Sequence, residues 1–220
     1  MIRFENVTLR PFSGLNFEIK SGRLCRILTE SDFEKSLIIQ GIIGGIQPES
    51  GRVFLFGQDL WSVGKGEIFT LFRKIGMVLD NGGIISNLKV GENIILPTWY
   101  HKSQKLSDAW RRVRDIYTEL GFEALRLSEY LGESPGSLPA YEKRIMALVR
   151  AMLMEPELMI YDALLEGMDN ETARKVLRIT EKFHSAKQER TSVFISSDEQ
   201  SLKDVRADKT VWLLKGGQAG

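Results

Sequence analysis

A chain of 220 residues, 43% of them hydrophobic, is long enough to bury one sizeable core, or one domain carrying an inserted lobe. Its 30 basic and 29 acidic residues nearly cancel, which excludes the broad field that draws a protein to nucleic acid or to an anionic bilayer, so any partner is selected by shape and local chemistry. The one cysteine, Cys25, excludes an intramolecular disulfide and fits a reducing compartment, and no run reaches the roughly 18 apolar residues of a membrane span.

The opening segment MIRFENVTLR lacks a secretory apolar core and alternates in polarity, as does GLNFEIKSG, with Gly14 and Ser21-Gly22 as turns. A small antiparallel sheet is therefore expected, running into the buried strand RLCRIL, where Cys25 reads as a small hydrophobe. KSLIIQGIIGGI carries apolar residues at 37, 38, 39, 42, 43 and 46, a helical spacing ended by Gly44-Gly45, so TESDFEKS joins strand to helix. QPESGRVFLFGQDLW gives a turn and another strand, and KIGMVLD a short buried one. From 98 to 130 the composition shifts to helix formers and charges, with Leu106, Trp110, Val113, Ile116 and Tyr117 on one face. YEKRIMALVRAMLM is a further helix, stopped at Glu155-Pro156, and LMIYD is a continuous apolar strand of the kind buried in parallel sheets. An amphipathic helix (NETARKVLRITEKFHSA), a strand (TSVFISS), a short helix (SLKDVRA) and a final strand (KTVWLLKGG) follow. Strands alternating with helices predict an α/β fold in a single domain. Its parallel-sheet core and N-terminal antiparallel β-subdomain span 1–79 and 136–220, and an α-helical lobe is inserted at 80–135.

A phosphate loop needs glycines, because backbone N–H groups must curl around phosphate oxygens at distances that side chains obstruct. In TESDFEKS the glycine places hold Thr29, Asp32 and Glu34. Lys35 and Ser36 keep the places of the phosphate-binding lysine and the Mg²⁺-binding hydroxyl, yet a Lys-Ser pair at a helix start is by itself an ordinary solvated pair.

The order of everything downstream resembles the nucleotide-binding subunit of an ABC transporter, across essentially the whole chain, which implies a core like that of the P-loop NTPases. QPESGRVFLFGQDL resembles the strand pair after the phosphate-loop helix. IGMVLDNGGIISNLKVGENIILP resembles the Q-loop region, with Asp80 where the family has Gln. LPAYEKRIMALVRAM stands for the signature segment and its helix, with Leu138, Pro139, Ala140, Tyr141 and Glu142 in the place of LSGGQ. EPELMIYDALLEGMD resembles Walker B and the D-loop: Asp162 is kept, Ala163 replaces the catalytic Glu, and Gly167 and Asp169 lie in the D-loop. Ser197 replaces the switch His, and Phe12 stands near the place of an adenine-stacking aromatic, where a core aromatic is the competing reading. Within the family, Gly82 and Pro97 make the Q-loop region most similar to the subunits of Mla and MCE-type phospholipid transporters.

Each departure has a chemical cost. Ala163 cannot orient or deprotonate a water, and Ser197 is too short to reach a γ-phosphate as a histidine does. Carboxylates at 32 and 34 repel phosphate by roughly 4 kcal/mol at about 4 Å and an effective dielectric near 20. They suit a helix N-terminus, so the loop is expected to supply its own anion, with Lys35 pairing with Asp32, Glu34 or Asp162. Pro139 removes a hydroxyl and an N–H, and Ala140 and Tyr141 block close approach to a phosphate held by an opposite subunit.

The resemblance implies a cytoplasmic subunit, peripheral to the inner membrane, that docks on an integral-membrane permease and pairs with another ABC-type subunit as a homodimer or heterodimer. The expected docking groove holds Asp80, Ile84, Ile85, Leu88, Trp99 and Trp110. No cofactor is expected, with Mg-ATP entering only where the degenerate site still binds. No nucleic-acid partner is expected, nor a metal, since His101 and His184 lack ligand-spaced companions. The rival expectations are an active or slow ABC ATPase and a soluble regulator without a permease.

Overall fold

The computed structural model describes residues 1–101, 104–214 and 217–219. In chain order the elements are β1 (Ile2–Leu9), β2 (Phe12–Ile19), β3 (Leu24–Thr29), α1 (Asp32–Ile42), β4 (Ser50–Leu55), β5 (Gln58–Asp59), α2 (Lys65–Phe72) and β6 (Ile75–Val78). They continue as α3 (Val90–His101), α4 (Leu106–Glu119), α5 (Ala124–Leu131), α6 (Ala140–Leu153), β7 (Leu158–Asp162), α7 (Asn170–Ser185), β8 (Thr191–Ser196), β9 (Lys209–Leu214) and β10 (Gly217–Ala219). The chain divides into two compact units, one of Met1–Ile75, Glu157–Ala163 and Lys187–Gly220, the other of Gly76–Pro156 and Leu164–Ala186.

The first unit holds two sheets. Its antiparallel sheet runs β2-β1-β4-β5, and alternation places Ile2 and Phe4 on the buried side and, after a register shift at Asn6 (φ 49°), Val7 and Leu9. Phe4 stacks on Phe17 with ring centroids 4.5 Å apart. The register slips where Gly51 (φ 84°) crosses β1: a Cβ there would stand 2.3 Å from the Asn6 carbonyl oxygen, so only glycine fits.

In the other sheet β9, β3, β8 and β7 lie side by side and parallel, and β10 closes the far edge antiparallel to β9. Every residue of β7 and β8 is buried, as continuous apolar runs in a parallel sheet require. The register pairs Leu28 with Ser196 and Asp162 with Ile195, so β3, β8 and β7 finish level. Ligands of open α/β sheets bind beyond such carboxyl ends.

The second unit is helical. α3 packs on α4, α5 and α6, and α4 on α5, α6 and α7, around an aromatic trio in which Tyr117, Phe122 and Tyr130 have centroids 5.1 to 5.5 Å apart. It takes in more than residues 80–135, because the buried faces of α6 and α7 close the same core. Local features differ from the sequence reading: β10 follows the strand expected to be final, and α3 begins at Val90, ahead of the helical stretch expected from 98. Residues 65–72 form a helix where none was expected, and SLKDVRA contributes to a 3₁₀ turn, Glu199–Leu202, rather than to an α-helix.

Candidate functional site

β3 ends at Thr29, and the chain turns through Glu30 and Ser31 into α1. Ser31 is the N-cap: its Oγ accepts the Glu34 N–H at 3.4 Å, engaging one of the amides that every helix start leaves over. Glu34 folds back, and its Oε2 accepts the Glu30 N–H at 3.0 Å. Ser31-x-x-Glu34 is thus a capping box in which the carboxylate reaches one residue upstream of the N-cap amide. The Glu34 side chain is only 1% exposed.

Lys35, also buried, lies between two carboxylates, with Nζ 3.0 Å from Asp32 Oδ1 and 3.0 Å from Asp162 Oδ1. Asp32 also accepts the Ser197 hydroxyl at 2.8 Å, from just beyond β8. The hydrogen bonds from Lys35 and then Ser197 hold the Asp32 carboxyl below the usual carboxylate range. Ser36 Oγ accepts from Gln40 Nε2 at 3.1 Å, one turn along α1. After Asp162, Ala163 is buried at φ 51°, a left-handed conformation that costs a non-glycine residue roughly 1 kcal/mol or more. Its N–H donates to the Ile195 carbonyl at 3.0 Å, and its methyl can take no proton from a water. Asp32, Lys35, Asp162 and Ser197 thus hold one another.

In the helical unit, two arginines of α6 shape the segment after β6. The Arg144 guanidinium donates to the carbonyls of Asp80 (3.2 Å), Leu164 (3.3 Å) and Glu166. Arg150 donates to the carbonyls of Gly82 at 2.7 Å and Gly83 at 2.8 Å. Gly82 (φ 75°) packs so close to α6 that a Cβ would meet the Lys143 carbonyl oxygen at 2.7 Å. Asn93, fully buried on α3, accepts the Ile85 N–H at 2.8 Å and donates to the carbonyls of Ile85, Leu88 and Lys89 at 3.0 to 3.1 Å. Beside this fixed segment lies a cleft of about 290 Å³ lined by Leu88, Glu92, Ile95, Leu96 and Trp99. Trp99 is 62% exposed and Ile85 40%.

At the start of α6, Leu138 is buried and Pro139 is the N-cap, without a side-chain hydrogen bond to the helix amides. Ala140 opens the helix, and the Tyr141 hydroxyl donates to Glu142 Oε1 at 3.2 Å. Gly167 turns at φ 70°, and Asp169 caps α7 by accepting from the Glu171 N–H (2.9 Å) and the Thr172 N–H (3.0 Å).

A profile of the ABC transporter family matches residues 12–165. The chain belongs to the ABC transporter family. The phosphonates import ATP-binding protein PhnC of Wolinella succinogenes is 28% identical to it, over 81% of this chain and 68% of that protein. Methionine import ATP-binding protein MetN 1 of Bacillus licheniformis is 24% identical over 98% of this chain, which spans 65% of that protein. The intermembrane phospholipid transport system ATP-binding protein MlaF of Haemophilus influenzae is 23% identical over 93% of this chain and 77% of that one. In three dimensions the ATP-binding cassette MJ0796, solved as a dimer in a post-hydrolysis state bound to ADP and Pi, matches with a TM-score of 0.84 and 20% identity, covering 100% of this chain and 97% of that one. The α/β fold with a parallel core and an antiparallel sheet is thus that of an ATP-binding cassette.

In this cassette the residues singled out from sequence fall into both units. Asp32, Lys35, Asp162 and Ser197 form one bonded group at the carboxyl ends of β3, β7 and β8, with Glu34, Ser36 and Ala163 beside them in the chain. Phe12 is fully buried in the antiparallel sheet, so its ring is core and presents no face to a base. Asp80 belongs to the helical unit, as do Ile84, Ile85, Leu88 and Trp99. Trp110 packs against Gly91 of α3, where its ring edge would lie 3.1 Å from an added Cβ, and it does not line the cleft. Sequence reasoning missed Arg144, Arg150 and Asn93, whose hydrogen bonds to backbone groups leave no pattern. It also missed Glu92, Ile95 and Leu96, although positions 92, 95, 96 and 99 share one face of α3.

Proposed function

We propose that this cassette is a non-hydrolysing subunit of a membrane transport complex, and that the complex moves lipid between membranes. The observation that carries the reading is Lys35, buried and held at 3.0 Å by both Asp32 and Asp162. A lysine that grips a nucleotide must have its ammonium to offer, and removing one partner from a buried ion pair costs about 3–5 kcal/mol. Ala163 in place of a general base and Ser197 in place of a histidine support the same reading. Pro139, Ala140 and Tyr141 weaken the contribution this chain would make to a nucleotide on an opposite subunit. Mg-ATP is accordingly not a working cofactor of this chain.

The partner is an integral-membrane permease at the cytoplasmic face of the membrane, with a second cassette subunit, identical or not, completing the complex. The permease seats a coupling helix in the cleft of Leu88, Glu92, Ile95, Leu96 and Trp99, with Ile85 at its side. Lipid is favoured by the similarity to MlaF and by the stretch holding Gly82 and Pro97. The test is co-purification with a detergent-solubilised multi-span membrane protein, together with a phosphate-release assay. Ile85→Asp and Trp99→Ala are expected to release that protein while Asp32→Ala retains it, since a buried apolar anchor at an interface is worth about 2 kcal/mol or more. Release by Asp32→Ala alone, or ATP turnover by the wild type above background, overturns the reading.

A further inference from the structure

Glu34 is chemically out of place. It carries a carboxylate that is 1% exposed, and Lys35, the residue after it, pairs with Asp32 and Asp162. Oε2 accepts the Glu30 backbone N–H, and Oε1 has no hydrogen-bond partner among the described residues. A carboxylate taken out of water needs compensation. Here it receives one backbone amide of the β3–α1 loop and the positive end of α1, an 11-residue helix. Those are the groups that hold a phosphate at a helix N-terminus.

We propose that Glu34 is the loop's own ligand: its carboxylate fills an anion cradle built by the β3–α1 turn, and removing the side chain opens that cradle to a free polyphosphate. The idea rests on the reading of the cassette as non-hydrolysing and adds the residue responsible. An anion tethered within its own loop is present at a high effective concentration, which a dilute free anion does not match. Asp32 is a different case. Its side chain is 78% exposed and engaged by Lys35 and Ser197, so it repels from the rim and does not occupy the cradle. Inorganic pyrophosphate is the right probe, because Phe12 is buried and offers nothing to a nucleobase.

The experiment is calorimetric titration of millimolar pyrophosphate into the wild type, Asp32→Ala, Glu34→Ala and Glu34→Gly. Wild type and Asp32→Ala are expected to give no binding heat, and the Glu34 variants to bind at least about tenfold more tightly than either. Binding by the wild type, equal gains in Asp32→Ala and Glu34→Ala, or silence from a folded Glu34→Ala overturns the proposal. Should both Glu34 variants fail to fold, hydrogen exchange at the Glu30 amide decides it in the wild type. Protection is expected from the bond to Glu34, and exchange at the rate of an unbonded loop amide refutes it. ATP turnover by the wild type would sink the non-hydrolysing reading, whereas a silent wild type beside a silent, folded Glu34→Ala sinks this inference alone.

Discussion

Replacing Lys35 by methionine keeps the length of the side chain and removes its charge. In a cassette whose lysine waits for a nucleotide, that change touches ligand binding and leaves the free protein's stability nearly unaltered. Here the lysine side chain is 4% exposed and stands 3.0 Å from Asp162, itself 10% exposed, so the substitution takes a cation away from a buried carboxylate. The Asp162 contact carries most of the cost, about 3–4 kcal/mol. The Asp32 contact adds little, because that carboxylate is 78% exposed and screened by water. For a chain of this size the loss corresponds to a fall in melting temperature of roughly 6–16 °C. Trp212 on β9, paired in register with Leu28 of β3, gives a fluorescence signal from the affected unit. Adding Asp162→Asn to Lys35→Met is expected to recover at least about 1 kcal/mol, since the carboxylate charge that lost its cation is then gone. A single variant that melts within a degree of the wild type, or a double variant no better than the single, would refute the structural role of Lys35.

Ala163→Glu is expected neither to hydrolyse ATP nor to be innocuous: the new carboxylate enters a buried, left-handed position, so a lower melting temperature without phosphate release is the result to look for. The Asp32 carboxyl lies below its ordinary range, so its contribution to stability is present above about pH 4 and fades as the pH falls through the depressed folded value. The gap in melting temperature between wild type and Asp32→Asn should therefore narrow on acidification, and a gap that widens would contradict the Lys35 and Ser197 contacts. Gly82→Ala is expected to cost about 1 kcal/mol or more, because the added methyl meets the Lys143 carbonyl oxygen at a φ of 75°. Chemical denaturation measures this cost, and co-purification reports whether the partner surface is lost with it.

The fold was legible because its signals are local and repeated. LMIYD and TSVFISS are too short for helices and rich in apolar or β-branched residues, as buried strands are, and helix α7 between them carries its apolar residues at helical spacing. The pairing of Lys35 was also within reach, since three carboxylates were near it in the expected fold and two proved to be its partners. Glu34 was harder. Ser31-x-x-Glu34 is a written capping signal, yet the same four residues read first as a phosphate loop stripped of glycine, and burial of the carboxylate depends on donors that only the folded turn assembles. Phe12 was ambiguous for the opposite reason: it is out of phase with the alternating Leu15, Phe17 and Ile19 and is brought to the buried side by a register shift, while its position in the chain suggested a base. Helix α2 escaped because KGEIFTLF opens with a glycine-rich stretch and spans only eight residues.

The two arginines of α6 hold the 80–83 segment by its carbonyl oxygens, which every amino acid possesses. The arginines therefore ask nothing of the side chains, and the path depends on residue identity through Gly82 and Gly83, both at positive φ, and Asn81, whose Oδ1 accepts the Gly83 N–H at 2.8 Å. Position 80, held through its carbonyl oxygen by Arg144 Nη1, can take another side chain while the path is kept. In the proposed docking on a permease, the side chain at 80 would tune the contact while α6 holds the backbone that presents it.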